Sequence, residues 1–272
     1  MYSGTTLNRY SGRIIGAHQK IDRVARRYVA KLLPESVGFP PLKSILLFEG
    51  LNGPDGIKRK SPAVDEPWHY INPNDETDDR LLLLIEQHYN NLVGELKAKN
   101  TERAGFEAAW LAHAIVDGLT PAHHYPYEEA LIEMRGGKSI ASRTTLKEKL
   151  LMHGETPLEK VRNNWRMWGS KGLMTTHGLF EIGFATLIAP MKFTASQPTI
   201  AAAEQARANG PIATFKCILQ EIAAMKLYES YYQTSWTPNF ANRMRKELAP
   251  RIIQTVALIW YMAAMEASDT LA

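Results

Sequence analysis

An all-α fold, a multi-helix bundle with metal ligands in its interior, is the architecture this sequence predicts, and three observations carry it. Apolar residues recur at spacings of three and four along most of the chain. No stretch alternates with period two for long enough to build a sheet. Histidine and carboxylate residues stand four apart inside apolar helical segments: His113 with Asp117, and His177 with Glu181.

The elements follow in order. His18 to Leu33 is amphipathic, with Ile21, Val24, Ala25, Tyr28 and Leu32 on one face, and Pro34 ends it. Residues 41–49 read as a short helix leading into a turn at Gly53-Pro54-Asp55-Gly56. Residues 58–74 carry three prolines and read as an extended loop. A long helix is expected over 75–99 and another over 101–119, with Thr101 as its N-cap and Pro121 just beyond its end. Further helices are expected over 157–168, 174–188, 211–232 and 239–267. Pro250 should kink or split the last of these.

The chain of 272 residues is expected to form a single domain, with 135–174 as an inserted basic segment between ligand helices. That segment holds nine Lys/Arg against three acids, together with Trp165 and Trp168. It reads either as a solvated surface insertion or as a flap offering positive charge and indole rings to an anionic substrate. Hydrophobic residues make up 45%, enough for a full core, and the net charge of +4 gives a mild bias toward anionic partners. A single cysteine excludes an internal disulfide and any Cys-rich zinc knuckle. Cys217 lies in an apolar run and is expected in the core. The N-terminus has no apolar stretch typical of a secretory signal, and the apolar run at 252–265 is too short to span a bilayer. The expected location is therefore the cytoplasm, or outside the cell if a leader has been removed.

Chance would place an acid four residues after about 0.8 of the eight histidines. Four have one: His18/Asp22, His113/Asp117, His124/Glu128 and His177/Glu181. The apolar settings of the second and fourth pairs favour burial, and a buried carboxylate needs a partner to offset its desolvation. A metal ion supplies one, and neutral imidazole suits the same role. His88 and His153 are expected to be a helix residue and an exposed residue, and Trp68 and Trp110 are expected in the core.

The motif His113-x3-Asp117-x5-His123, with Pro121 in the spacer, and the His-x3-Glu of His177 and Glu181 resemble the zinc-dependent phospholipase C superfamily, which also includes single-strand-specific zinc nucleases. Upstream, His18 near the start of the first helix, Asp55 in GPDG and His69 in DEPWHY match the family order, so the resemblance runs from about residue 13 to 185. It implies that Asp55, His69, His113 and Asp117 hold one zinc, and that His123, His177 and Glu181 hold a second. Asp117 would bridge to a third zinc that His18 also binds. Asp65 is an alternative to Asp55, and His124 an alternative to His123. In the family the third zinc also takes the amine and carbonyl of an N-terminal Trp. Here the first Trp is Trp68, and Tyr2 disfavours removal of Met1, so two zinc ions are expected and the third site lacks an assigned partner.

The resemblance implies a zinc-dependent phosphodiester hydrolase in which a zinc-activated hydroxide attacks a phospholipid or related phosphodiester, with Asp55 both ligand and acceptor of the water's proton. Glu at 181 and the GPDG…WHY pattern favour the phospholipase C side. A peripheral membrane contact without a transmembrane segment fits that substrate, with Phe39, Leu42, Leu51, Ile57 and Tyr125 as apolar contributors at the site mouth. The alternatives are a single-strand nuclease of the same fold, with nucleic acid as partner and Trp165 or Trp168 stacking a base, and a non-catalytic zinc-stabilised helical scaffold.

Overall fold

The computed structural model describes residues 1–3, 16–60, 62, 64, 66–124 and 127–269. It is helical, with no strand among those residues. Its helices are α1 (Ala17–Leu32), α2 (Leu42–Leu47), α3 (Pro54–Lys60), α4 (Arg80–Lys97), α5 (Thr101–Gly118), α6 (Tyr127–Met134), α7 (Leu146–Leu150), α8 (Pro157–Trp168), α9 (Leu173–Ile188), α10 (Ile200–Asn209), α11 (Pro211–Ala224), α12 (Leu227–Thr234), α13 (Pro238–Arg243) and α14 (Ala249–Asp269).

The core is built around α14, which packs on α1, α4 and α5. Trp260 of α14 is fully buried, and its indole N–H donates to the Ala108 carbonyl at 3.0 Å, so a large apolar ring is placed with no unpaired donor. The short connection after α4, with Lys99 in the left-handed region (φ 56°), turns the chain back on itself, and α5 packs along α4. The two are clamped by Glu107, which accepts from His88 Nδ1 at 2.6 Å and forms an ion pair with Arg103 at 2.7 Å. At the far end of α5, Gly118 lets Leu81 and Phe215 approach closely. A Cβ there would lie 2.6 Å from Leu81 Cδ2 and 2.7 Å from Phe215 Cζ.

Several boundaries differ from the sequence reading. Asp55 sits in the first turn of α3 rather than on an open turn. The helix expected from 75 starts at Arg80, because Asp75 accepts from the backbone N–H and hydroxyl of Thr77 and holds a local turn instead. Asn100, not Thr101, caps α5, accepting from Arg103 N–H. The helix expected over 211–232 breaks at Lys226, whose φ of 48° separates α11 from α12. Pro250 has its expected effect in a particular form: the helix widens into a π turn at Met244–Leu248 ahead of it. Cys217 lies on the solvent face of α11 and is exposed, because Phe215 and Leu219 take the buried positions on that helix. The continuous helical stretch Pro238–Asp269 is long and apolar enough to cross a membrane, and 72% of its apolar window is buried inside the fold.

Candidate metal centre

Backbone placement explains how eight dispersed side chains meet. His18 lies in the first turn of α1, where helical N–H groups have no intrahelical acceptor. Residues 1–3 lie against that end: Ala17 N–H donates to Tyr2 O at 2.8 Å, and the Gln19 side chain donates to Ser3 O at 2.5 Å. His113 and Asp117 project from one face of the last turns of α5. Pro121 starts a tight 3-10 turn that brings His123 back over the helix end. The segment around His69 pairs with this turn. Ile71 N–H donates to His123 O at 3.3 Å, and His123 Nδ1–H donates to His69 O at 2.9 Å. His177 and Glu181 come from α9.

Three groups of ligand atoms result, each within 4.8 Å of one another: His18, His113 and Asp117; Asp55, His69 and His113; and His123, His177 and Glu181. Asp117 is the hub. Its Oδ2 lies 2.6 Å from His69 Nδ1 and 3.2 Å from His113 Nε2, while its Oδ1 lies 3.2 Å from His18 Nε2. Asp55 Oδ1 is 3.8 Å from His113 Nε2. Glu181 Oε1 is 2.9 Å from both His123 Nε2 and His177 Nε2. All the sequence-predicted ligands are thus brought together, and His123 rather than His124 joins them. His124 turns away and donates from Nε2 to the Gly118 carbonyl at 2.7 Å. Asp65 and Tyr125 lie outside the described residues.

One contributor was not anticipated from side-chain motifs. The Met1 amino group contacts Asp117 Oδ1 and lies 3.3 Å from Glu181 Oε1, and the Met1 carbonyl oxygen lies 2.7 Å from His18 Nε2. A backbone amine and carbonyl stand beside His18 and Asp117, next to the position that lacked an assigned partner. Buried carboxylates back the histidines. Glu49 Oε2 is 3.5 Å from His113 Nδ1, and Asp22, one helical turn after His18, is fully buried. Glu49 carried no sequence signal, whereas Asp22 was visible as the acid of the His18 pair.

The electrostatics are those of a crowded donor cluster. Burial works against charge on Asp117, yet the Met1 ammonium and the rings of His123, His113 and His18 hold its carboxyl well below the carboxylate range. Burial works likewise against Asp55, but His113 and Lys58 bring it down to about 2. Burial and the Met1 ammonium push His123 down to about 3. His113 goes the other way: burial opposes its charge, but Asp117 and Glu49 raise it to about 10. Asp22 is pushed well up by burial and by Glu49.

These residues fit a metal ion. His69 Nε2 and His113 Nε2 are buried without a hydrogen-bond partner, an arrangement that a cation resolves. The side-chain donors are imidazole and carboxylate, with no thiolate among them, a set suited to zinc and to other borderline divalent ions.

Beside the cluster opens a cleft of about 310 Å³, reached past Asp55, His69 and Glu181. Its apolar wall includes Trp68, Tyr70, Leu146, Leu150 and Trp168, and the Tyr70 ring lies 5.2 Å from that of His123. The inserted segment supplies its cationic wall. Lys149 Nζ lies 2.5 Å and Arg143 Nη2 3.7 Å from Glu66, and Lys149 also donates to the Lys58 carbonyl. The expected apolar contributors Phe39, Leu42, Leu51 and Ile57 do not line it. Phe39 packs against Trp260 instead, where α14 draws it into the core. Trp168 faces the cleft, while Trp165 is on another side of α8. Trp68, expected in the core, is half-buried and carries the Arg80 guanidinium 3.5 Å above its ring. Comparison with protein-family models, curated proteins and solved structures gives no match.

Proposed function

We propose that this chain is a zinc-dependent phosphodiester hydrolase of the phospholipase C type, acting on a phospholipid or related phosphodiester. The observation that carries this reading is the convergence of His18, Asp55, His69, His113, Asp117, His123, His177 and Glu181 into contiguous groups, with Asp117 facing two of them through separate oxygens. In this reading Asp55, His69, His113 and Asp117 hold one zinc, and His123, His177 and Glu181 a second. His18, Asp117 and the Met1 amine and carbonyl would hold the third. Bound there, zinc supplies an activated water and a positive clamp for phosphate oxygens.

The chain's own groups do the rest. Asp55 borders the cleft and stays ionised above about 2, so it can accept a hydrogen bond from a water at that edge and orient it for proton loss. Lys58 and Arg143 place positive charge along the wall where a phosphodiester would lie. Tyr70 and Trp168 give the cleft an apolar surface that limits water. The position of Trp168, close to cations and beside the metal groups, is also what a nuclease reading requires for stacking a base.

Metal analysis with a substrate panel tests the proposal. The expected result is two or three zinc ions per chain, release of a phosphorylated head group from phospholipid, and loss of both metal and hydrolysis in His113→Ala. Cleavage of single-stranded DNA with intact phospholipid would transfer the assignment to the nuclease. Zinc without turnover on either substrate would leave a scaffold, and a purified protein that takes up no transition metal would end the zinc reading.

A further inference from the structure

The inserted segment carries an apolar surface that the metal centre does not use. On α8, Asn163 and Met167 are buried, four residues apart on the face turned to the protein. Leu158, Val161 and Trp165 lie on the opposite face at spacings of three and four, and they are 80%, 67% and 70% exposed. Trp168, one turn further on, stands at the edge of this face toward the cleft and is 42% exposed. On neighbouring α7 and just after it, Leu146, Leu150 and Leu151 are 55%, 46% and 45% exposed. A soluble surface scatters such side chains singly, whereas several in register on one helix face mark a contact surface.

Two features identify what it contacts. The first is charge. Lys147, Lys160, Arg162 and Lys171 are exposed around these apolar residues. The acids that could neutralise them are partly withdrawn into local backbone bonds: Glu148 accepts from the N–H groups of Thr144 and Thr145, and Glu159 accepts from Glu155 N–H. A helix with Leu, Val and Trp on one face and Lys and Arg at its flanks has the composition that lies in a bilayer interface and favours anionic lipid. The second is continuity. Leu146, Leu150 and Trp168 belong to the exposed group and also line the cleft beside the metal groups.

We propose that α7 and α8 form a docking surface for an anionic lipid bilayer, placing the mouth of the cleft at the membrane. Docking needs neither metal nor turnover, so it stands or falls apart from the hydrolase reading.

The test is sedimentation of the full chain with vesicles of phosphatidylcholine alone or mixed with phosphatidylglycerol. Wild-type protein is expected to bind the mixed vesicles, to bind the zwitterionic ones less, and to be partly released by salt. Leu158→Ser and Trp165→Ala, both outside the cleft lining, are each expected to weaken binding by about tenfold with unchanged helical circular dichroism and metal content. Equal binding by wild type and variants, or no binding to anionic vesicles, overturns the proposal. So does a stable dimer of the wild type that both variants dissolve, since a second copy would then be what covers this face.

Discussion

Glu49 shows how a single residue tunes the cluster without being a ligand. Its Oε2 stands 3.5 Å from His113 Nδ1, behind the ring whose Nε2 faces Asp117. Such a partner fixes ring orientation and raises ligand basicity, so Glu49→Gln is expected to weaken metal binding by about 10- to 100-fold while the protein stays folded, as read by competition with a chelator. The raised His113 value sets a pH dependence. In metal-free protein its charge contributes stability that is fully present below the ordinary 6.5 and is lost as pH rises through about 10. Metal requires the neutral ring, so affinity is expected to climb through the same window. Zinc titration at neutral pH in weak buffer should therefore release protons, and pH-independent affinity would contradict this. At this scale the sequence was legible wherever chemistry is written in side-chain spacing, as for His113/Asp117 and His177/Glu181. Met1 was not legible as a contributor because it offers only backbone atoms, which every residue has. Glu49 was not, because a lone acid after α2 becomes buried only through tertiary packing.

At the scale of elements, the α4–α5 pair holds the cluster's central helix in place. Glu107 is fully buried and links His88 to Arg103 across the two helices. Burial opposes its charge, yet His88 and Arg103 lower its carboxyl, so the stability it contributes is present above the ordinary 4.5 and is lost as pH falls through its lower folded value. Glu107→Ala strands His88 and is expected to cost about 3 kcal/mol in a denaturant melt at neutral pH. Gly118→Ala drives a methyl into Leu81 and Phe215 one residue from Asp117, and is expected to cost about 1–3 kcal/mol and to lower metal content. Helices announced by proline and by 3.6-residue periodicity, such as α1, α8 and α9, were readable in advance. The break at Lys226 was not, since a non-glycine residue in left-handed backbone has no local signature and is imposed by how α11 and α12 pack.

Across the whole molecule, the candidate ligands come from positions as distant as His18 and Glu181, so metal would tie α1, α3, α5 and α9 together. Stripping it with a chelator is expected to lower Tm by about 10 °C or more, recovered on adding zinc back; an unchanged Tm would show that these residues hold no structural metal. The fold class was legible because helical periodicity covers nearly all of the chain. The site's outer wall was not, since only the folded insertion reveals that Arg143 and Lys149 turn toward Glu66 while Trp165 turns away. Asp117 faces two of the ligand groups, so if both took up metal this one carboxylate would serve both and their occupancies would be interdependent. Filling either site fixes the side chain's orientation and withdraws its negative charge, which alters the other's affinity by the same factor in both directions. Metal loading should therefore trace a curve that departs from independent equal steps, and Asp117→Asn should make the remaining steps independent.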